Sequence, residues 1–148
     1  MNRELFPTLP TLLRIALVFS VGLEFFFAGS REQPLVAVVR KRDRVALPDR
    51  PGARSMSYRF ESLDFPATER RFNSYVAEFF AVAAESVRRH DHPGVEFIYA
   101  LQGTLSVHIG AVEHVLHEGD SMYFDATVPH AYRRNGGRTC RAIVVTAP

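Results

Sequence analysis

His90-Asp91-His92-Pro93-Gly94-Val95-Glu96 decides the reading of this chain, and it is answered further on by Gly119-Asp120-Ser121-Met122-Tyr123-Phe124-Asp125-Ala126-Thr127-Val128-Pro129-His130. Side chains two apart on a strand share a face, so His90 and His92 are expected to project together. Pro93-Gly94 suits a tight reversal that starts the next strand at Val95, and antiparallel pairing then brings Glu96 within cross-strand reach of both imidazoles. His130 has to come from a distant strand, which a closed barrel supplies because all its strands wrap one interior. Three imidazoles and one carboxylate form a mixed nitrogen and oxygen donor set that suits one divalent transition metal and leaves positions open to water or substrate. His90, His92, Glu96 and His130 are the candidate ligands, and Fe, Mn, Ni, Co, Cu and Zn are all chemically compatible with them. Imidazoles bind metal in their neutral form, so affinity is expected to fall as pH drops through the histidine range near roughly 6.5.

Outward from this cluster the sequence reads as strand. Leu35 to Val39, Ser57 to Leu63, Tyr75 to Val82, Val95 to Leu101, Thr104 to Ile109, Val112 to Leu116, Ser121 to Phe124 and Cys140 to Thr146 are short runs rich in β-branched and aromatic residues. Turn formers such as Pro51-Gly52, Gly103, Gly110, Gly119 and Gly136-Gly137 lie between many of them. Short strands with frequent turns predict an all-β sandwich or barrel rather than an α/β fold. The basic stretch Arg40 to Arg44 reads as a solvated strand edge that blocks edge-to-edge pairing.

Residues 8–27 carry a different period. Thr8 can cap a helix, Pro10 suits its opening turn, and Leu9, Leu12, Leu13, Ala16 and Phe19 recur at three- and four-residue spacing. A second helical turn is expected at Leu23 to Phe27, and residues 28–34 read as a linker closed by Pro34. Helices this short cannot bury their apolar stripes alone, and the sequence shows no obvious partner for them. Arg14 and Glu24 bracket too short an apolar run for a membrane span, which needs about 20 residues.

The whole chain of 148 residues fits one ordinary domain with a short appendage, which sets the domains at 1–27, 28–34 and 35–148. A net charge of +2 is too weak a field to imply nucleic acid by itself. The lone Cys140 forms no internal disulfide and suits a reducing cytoplasm, where it reads as a small buried hydrophobe. His108, His114 and His117 read as surface, and Tyr99 and Tyr123 as ordinary sheet tyrosines. Neither a nucleophile-elbow serine nor a phosphate-cradling glycine loop is present.

His90-Asp91-His92, Glu96 and Gly103 together resemble the first signature of the cupin superfamily, departing only at a leading glycine, where this chain has Ala84. Gly119 and His130 match its second signature, whereas Asp125 and Thr127 replace its proline and second glycine, and Arg134 takes its asparagine slot. The resemblance covers residues 57–148 and implies a jelly-roll barrel (double-stranded β-helix) holding metal or a small ligand, with His90, His92, Glu96 and His130 as ligands. Gly119 to His130 also resembles the variant in bacterial regulators that join an XRE-type helix-turn-helix domain to a C-terminal cupin. Pro7 to Ala16 and Val21 to Phe26 are similar to the last two helices of that DNA-binding domain.

Two functions share this fold and these ligands. One is the sensor domain of an XRE-family transcription regulator, lacking its recognition helix, that binds a small-molecule effector and reaches DNA only through a full-length helix-turn-helix domain. The other is a metal-dependent cupin enzyme of dioxygenase, isomerase or decarboxylase type. Residues 7–27 favour the regulator, and an in-frame helix-turn-helix sequence is then expected upstream of Met1. A homodimer in the cytoplasm, without membrane attachment, is the expected form.

Overall fold

The computed structural model describes residues 8–18, 26, 36–48, 57–68, 70–83 and 86–148. One helix, α1 (Leu9–Val18), precedes nine strands: β1 (Ala46–Pro48), β2 (Tyr58–Ser62), β3 (Asn73–Phe79), β4 (Val95–Gln102), β5 (Thr104–Ile109), β6 (Val112–Leu116), β7 (Ser121–Asp125), β8 (His130–Asn135) and β9 (Cys140–Ala147). They form a six-stranded sheet in the order β1-β2-β3-β9-β4-β7 and a three-stranded sheet β6-β5-β8, with every pairing antiparallel. This is an all-β jelly roll with a short N-terminal helix: the strand pattern predicts the all-β class, and the family resemblance implies the jelly roll.

Alternation along the strands sorts residues to the inside. On β4, Glu96, Ile98 and Ala100 are buried while Phe97, Tyr99 and Leu101 face outward. Across β3, β9 and β4 the register aligns inward residues into rows. Asn73, Thr146 and Glu96 form one row, Tyr75, Val144 and Ile98 the next, and Ala77, Ala142 and Ala100 the third. The alanine row lets Leu105, Val107 and Tyr132 of the smaller sheet approach closely, so this end of the barrel is packed solid around Phe79. The polar row lies towards the other end.

Helix α1 finds its packing partner on the barrel. Leu13 and Ala16 are fully buried in a cluster with Leu47 and Tyr75, with Leu12 and Leu17 alongside. The Thr8 carbonyl accepts the Leu12 amide as the first turn closes, which places Thr8 at the cap position. The second helical turn and the linker fall, apart from Phe26, outside the described residues.

Three local readings differ from the sequence pattern. Residues 36–40 form no strand, and Val36 and Val38 are largely exposed, because β-branching favours a strand only where a neighbour is present to pair and pack with. The basic stretch is not a strand edge: Lys41–Asp43 is a single 3-10 turn, and Arg44 leaves it to meet Glu61 at 3.5 Å. β1 and β8 escaped prediction, since Ala46–Pro48 is short and ends in proline while His130–Asn135 is mostly polar.

Gly94 (φ +92°) turns the chain between His92 and Glu96, and a Cβ there would lie 1.9 Å from the Ala147 carbonyl oxygen. Gly94→Ala should therefore cost on the order of 2–4 kcal/mol, combining positive-φ strain with a backbone clash, read as a lowered midpoint in urea or heat.

Candidate metal centre

Segment 90–94 is not half of a hairpin with β4. It runs beside 126–130, held by backbone bonds between His90 and His130 in both directions at 2.9 Å, from the His92 amide to Ala126 O at 3.0 Å, and from the Ala126 amide to Gly94 O at 2.9 Å. This ladder joins the loop before β4 to the start of β8, and so brings His90 and His92 beside His130, 40 and 38 positions on in the numbering. The loop before His130 gets its shape from Asp125, whose carboxylate accepts the Thr127 hydroxyl at 2.6 Å and the Thr127 amide at 2.9 Å. These bonds hold the Asp125 carboxyl below its ordinary range, the hydroxyl contributing most. An Asx turn thus does locally what proline and glycine do in the family signature.

His92, Glu96 and His130 each offer a donor atom, and the three lie within 4.8 Å of one another. His92 Nε2 stands 3.1 Å from Glu96 Oε2, and His130 Nε2 stands 3.8 Å from the same oxygen. Glu96 and His130 are almost fully buried, while about a third of the His92 side chain is accessible. His90, the fourth expected ligand, adjoins this trio, its ring 4.3 Å from that of His130. His114 and His117 are exposed as expected, and His108 is partly buried against Glu113 at 3.6 Å. Tyr99 and Tyr123 point outward.

The chemistry of the three donors fits a metal. His130 Nδ1 is 2.9 Å from Val128 O and His92 Nδ1 is 3.1 Å from Pro93 O, so each Nδ1–H is committed to a carbonyl. Protonated, His92 donates from Nε2 to Glu96 Oε2; deprotonated, it presents an Nε2 lone pair beside that carboxylate, as neutral His130 does. His130 Nε2 is buried with no hydrogen-bond partner among the described residues, an arrangement that is costly unless a cation fills the space between the donors. One divalent ion would satisfy all three at once, and fixing the imidazole tautomer through a carbonyl is the usual support for such a ligand.

Tyr132 was missed at the sequence level, although its place two residues after His130 on one strand face was a usable signal. Its hydroxyl donates to Glu96 Oε1, leaving Oε2 for the imidazoles. Burial, and then the Glu96 charge, drive the phenol well above its ordinary value, so it remains a donor at all working pH values. His92 shifts upward as well, chiefly through its hydrogen bond to Glu96, against opposing desolvation.

Beyond the trio lies a cavity of about 530 Å³ between Leu17 and Val18 of α1, Leu47 of β1, and the aromatic side chains Tyr58, Phe60 and Tyr75 of β2 and β3. The metal position thus opens on one side into space large enough for a small organic molecule. Among the described residues no helix is long and apolar enough to cross a membrane.

Residues 78–146 match the cupin domain family. No curated protein sequence matches the chain. Among solved structures, it is similar to Fe(II)-HppE with the alternative substrate (S)-1-HPP, at 23% identity over 94% of this chain and 75% of that one, TM-score 0.68. Hydroxypropylphosphonic acid epoxidase from S. wedmorenis gives 23% identity, coverage of 94% and 74%, and a TM-score of 0.65. The conserved SPY1581 protein of unknown function from Streptococcus pyogenes gives 18% identity, coverage of 61% and 73%, and a TM-score of 0.50. These likenesses are of fold, and coverage of 94% carries the first two well beyond the cupin domain itself.

Two outcomes follow from this geometry. Tyr132→Phe should weaken metal binding by roughly 10- to 100-fold while leaving the fold intact, as loss of a ligand's outer partner does, measured by competition with a metal-binding dye. In the metal-free protein the raised His92 contributes stability that is complete below its unfolded value and is lost as pH climbs through its folded value. Metal must displace that proton, so affinity should begin to fall at a pH above the ordinary histidine value of about 6.5, seen in the same competition assay run from pH 8.5 to 5.5.

Proposed function

With residues 78–146 matching the cupin domain family, we propose that this chain is a metal-dependent enzyme of oxygenase type, with His92, Glu96 and His130 as metal ligands and the adjoining cavity as the substrate site. The observation that carries the reading is the donor set itself. Two imidazoles and one carboxylate meet at one buried point that opens on one side into a cavity, the arrangement typical of non-haem Fe(II) oxygenases. The solved neighbours described as Fe(II) and Co(II) forms of HppE support a metal of this kind. When bound, such an ion would supply a Lewis acid and a site for dioxygen or substrate oxygen.

The chain's own groups have distinct tasks in this reading. Val128 O and Pro93 O fix the imidazole tautomers, and Tyr132 aims the Glu96 carboxylate. Leu17, Val18 and Leu47 give the cavity an apolar wall. His90, also expected as a ligand from its sequence spacing, flanks the trio on the cavity side and faces substrate.

A second reading keeps the barrel as the effector-sensing part of an XRE-type regulator, and α1 supports it. Leu17 and Val18 line the cavity while Leu13 and Ala16 are buried against the barrel, so occupancy would bias how the N-terminal segment docks. The outward stripe Phe97, Tyr99 and Tyr123 supports a homodimer, since large apolar side chains cluster there on neighbouring strands. Buried Cys140, its thiol pushed up to about 11 chiefly by burial, suits a reducing cytoplasm.

The test is anaerobic Fe(II) loading of the wild type and of His90→Ala, His92→Ala and His130→Ala, followed by metal analysis and by addition of nitric oxide as a dioxygen surrogate. Wild type and His90→Ala should hold roughly one ion per chain and give the nitrosyl electron-spin signal of an open site, while the other two variants lose the metal. Equal metal content in wild type and His130→Ala, or no nitrosyl signal in the loaded wild type, would overturn the enzyme reading.

A further inference from the structure

The cavity's own chemistry narrows what it can hold. Its lining contains no lysine or arginine among the described residues, and its ionisable members are His90, His92, Glu96 and tyrosines. A phosphate or phosphonate dianion needs guanidinium or ammonium partners when it leaves water, and this lining provides none. Tyr58 and Phe60 stack at 4.6 Å between ring centroids, and Phe60 and Tyr75 stack at 5.3 Å, so one wall is a continuous aromatic strip. A further flat ring extends such a strip in offset geometry, each pairing being favourable beyond its buried area.

One polar group in the lining has no evident task. Asn73 is 9% exposed, and its Oδ1 has no hydrogen-bond partner among the described residues. A buried acceptor left unpaired costs free energy comparable to a lost hydrogen bond. Among its polar neighbours, the Tyr132 hydroxyl is already committed to Glu96. Asn73 lies in the same cross-sheet row as Glu96, with Thr146 of β9 between them. Two strand spacings separate them, about 10 Å.

We propose that the cavity takes an uncharged aromatic molecule bearing a hydroxyl or N–H donor, whose ring lies along Tyr58, Phe60 and Tyr75 and whose donor bonds Asn73 Oδ1, leaving its far end towards His92, Glu96 and His130. This names a ligand class for the substrate site and rests on that reading of the cavity. Asn73 is the specificity residue, because its unpaired buried acceptor favours a donor over its methylated or donor-free analogue. A ligand one fused-ring system long fits between Asn73 and the metal position.

The probes are 2-naphthol, 2-methoxynaphthalene and 2-naphthyl phosphate, titrated calorimetrically into the full chain in both its chelator-treated and Zn(II)-loaded forms. In each form 2-naphthol should bind about tenfold more tightly than 2-methoxynaphthalene, the effect of one satisfied buried acceptor, and the phosphate should bind more weakly than either. In Asn73→Leu the first two should converge to within about twofold, while Asn73→Asp, which retains an acceptor, should keep the preference for the hydroxyl. Near-ultraviolet circular dichroism checks that the variants fold, and the wild-type ranking stands as a test without them. The proposal is overturned if none of the probes binds, if the phosphate binds best, if hydroxyl and methoxy analogues bind equally to the wild type, or if the preference survives in Asn73→Leu. A chain that ranks the probes as expected yet takes up no Fe(II) keeps this inference and sinks the proposed enzyme chemistry. One that loads metal and inverts the ranking does the reverse.

Discussion

The backbone ladder between 90–94 and 126–130 is the constraint on which the rest of the molecule depends. Neither segment belongs to a long strand; only His90 and His130 form a bridge, and four hydrogen bonds of 2.9 to 3.0 Å hold the two segments together. Remove that pairing and the loop before β4 has no reason to lie against the start of β8. The ladder also explains why Gly94 is irreplaceable. Its carbonyl closes the last bond while its Cα faces the Ala147 carbonyl at a distance that leaves no room for a side chain.

Once the ladder is in place, electrostatics makes the centre metastable without a cation. Two Nε2 lone pairs and a carboxylate oxygen converge because every Nδ1–H and one carboxylate oxygen are already bonded elsewhere. In the metal-free chain a proton on His92, donated to Glu96, relieves part of this repulsion, and that hydrogen bond is the main cause of the upward shift of His92. His130 Nε2 gains no such relief and remains without a partner among the described residues. A divalent ion held by His92, Glu96 and His130 would satisfy all three donors together, and its uptake would be linked to release of the His92 proton.

Much of this was legible in the sequence, and the parts that were not share a cause. Period-2 alternation and frequent turn residues are local signals, and they announced the barrel. His92, Glu96 and His130 were legible because ligand residue types stand out in otherwise apolar strands. The hairpin expected between His92 and Glu96 was wrong because Pro93-Gly94 reports a turn without reporting which strand lies opposite. Pairing is a tertiary fact, and β4 spends its two edges on β7 and β9. β8 was invisible for a related reason. His130, Tyr132 and Arg134 are polar or amphipathic, and only the barrel interior makes burial of the first two favourable. Asn73 carried no signal, since nothing in its neighbours along the chain shows that it shares a row with Glu96.

The rows across β3, β9 and β4 explain why a site and a stable core coexist in so small a barrel. Ala77, Ala142 and Ala100 draw the smaller sheet close, so large side chains of the opposite sheet fill that end without voids. Two rows away, Asn73, Thr146 and Glu96 replace methyl groups with donors and acceptors, and there the walls stand apart around the cavity. A helix, rather than a strand, covers this end. Leu17 and Val18 reach the cavity from α1, and a helix held by the small cluster of Leu13, Ala16, Leu47 and Tyr75 has far less apolar burial holding it than any central strand. The packed end anchors the strands that carry the donors, and the cavity lies at the end that α1 covers.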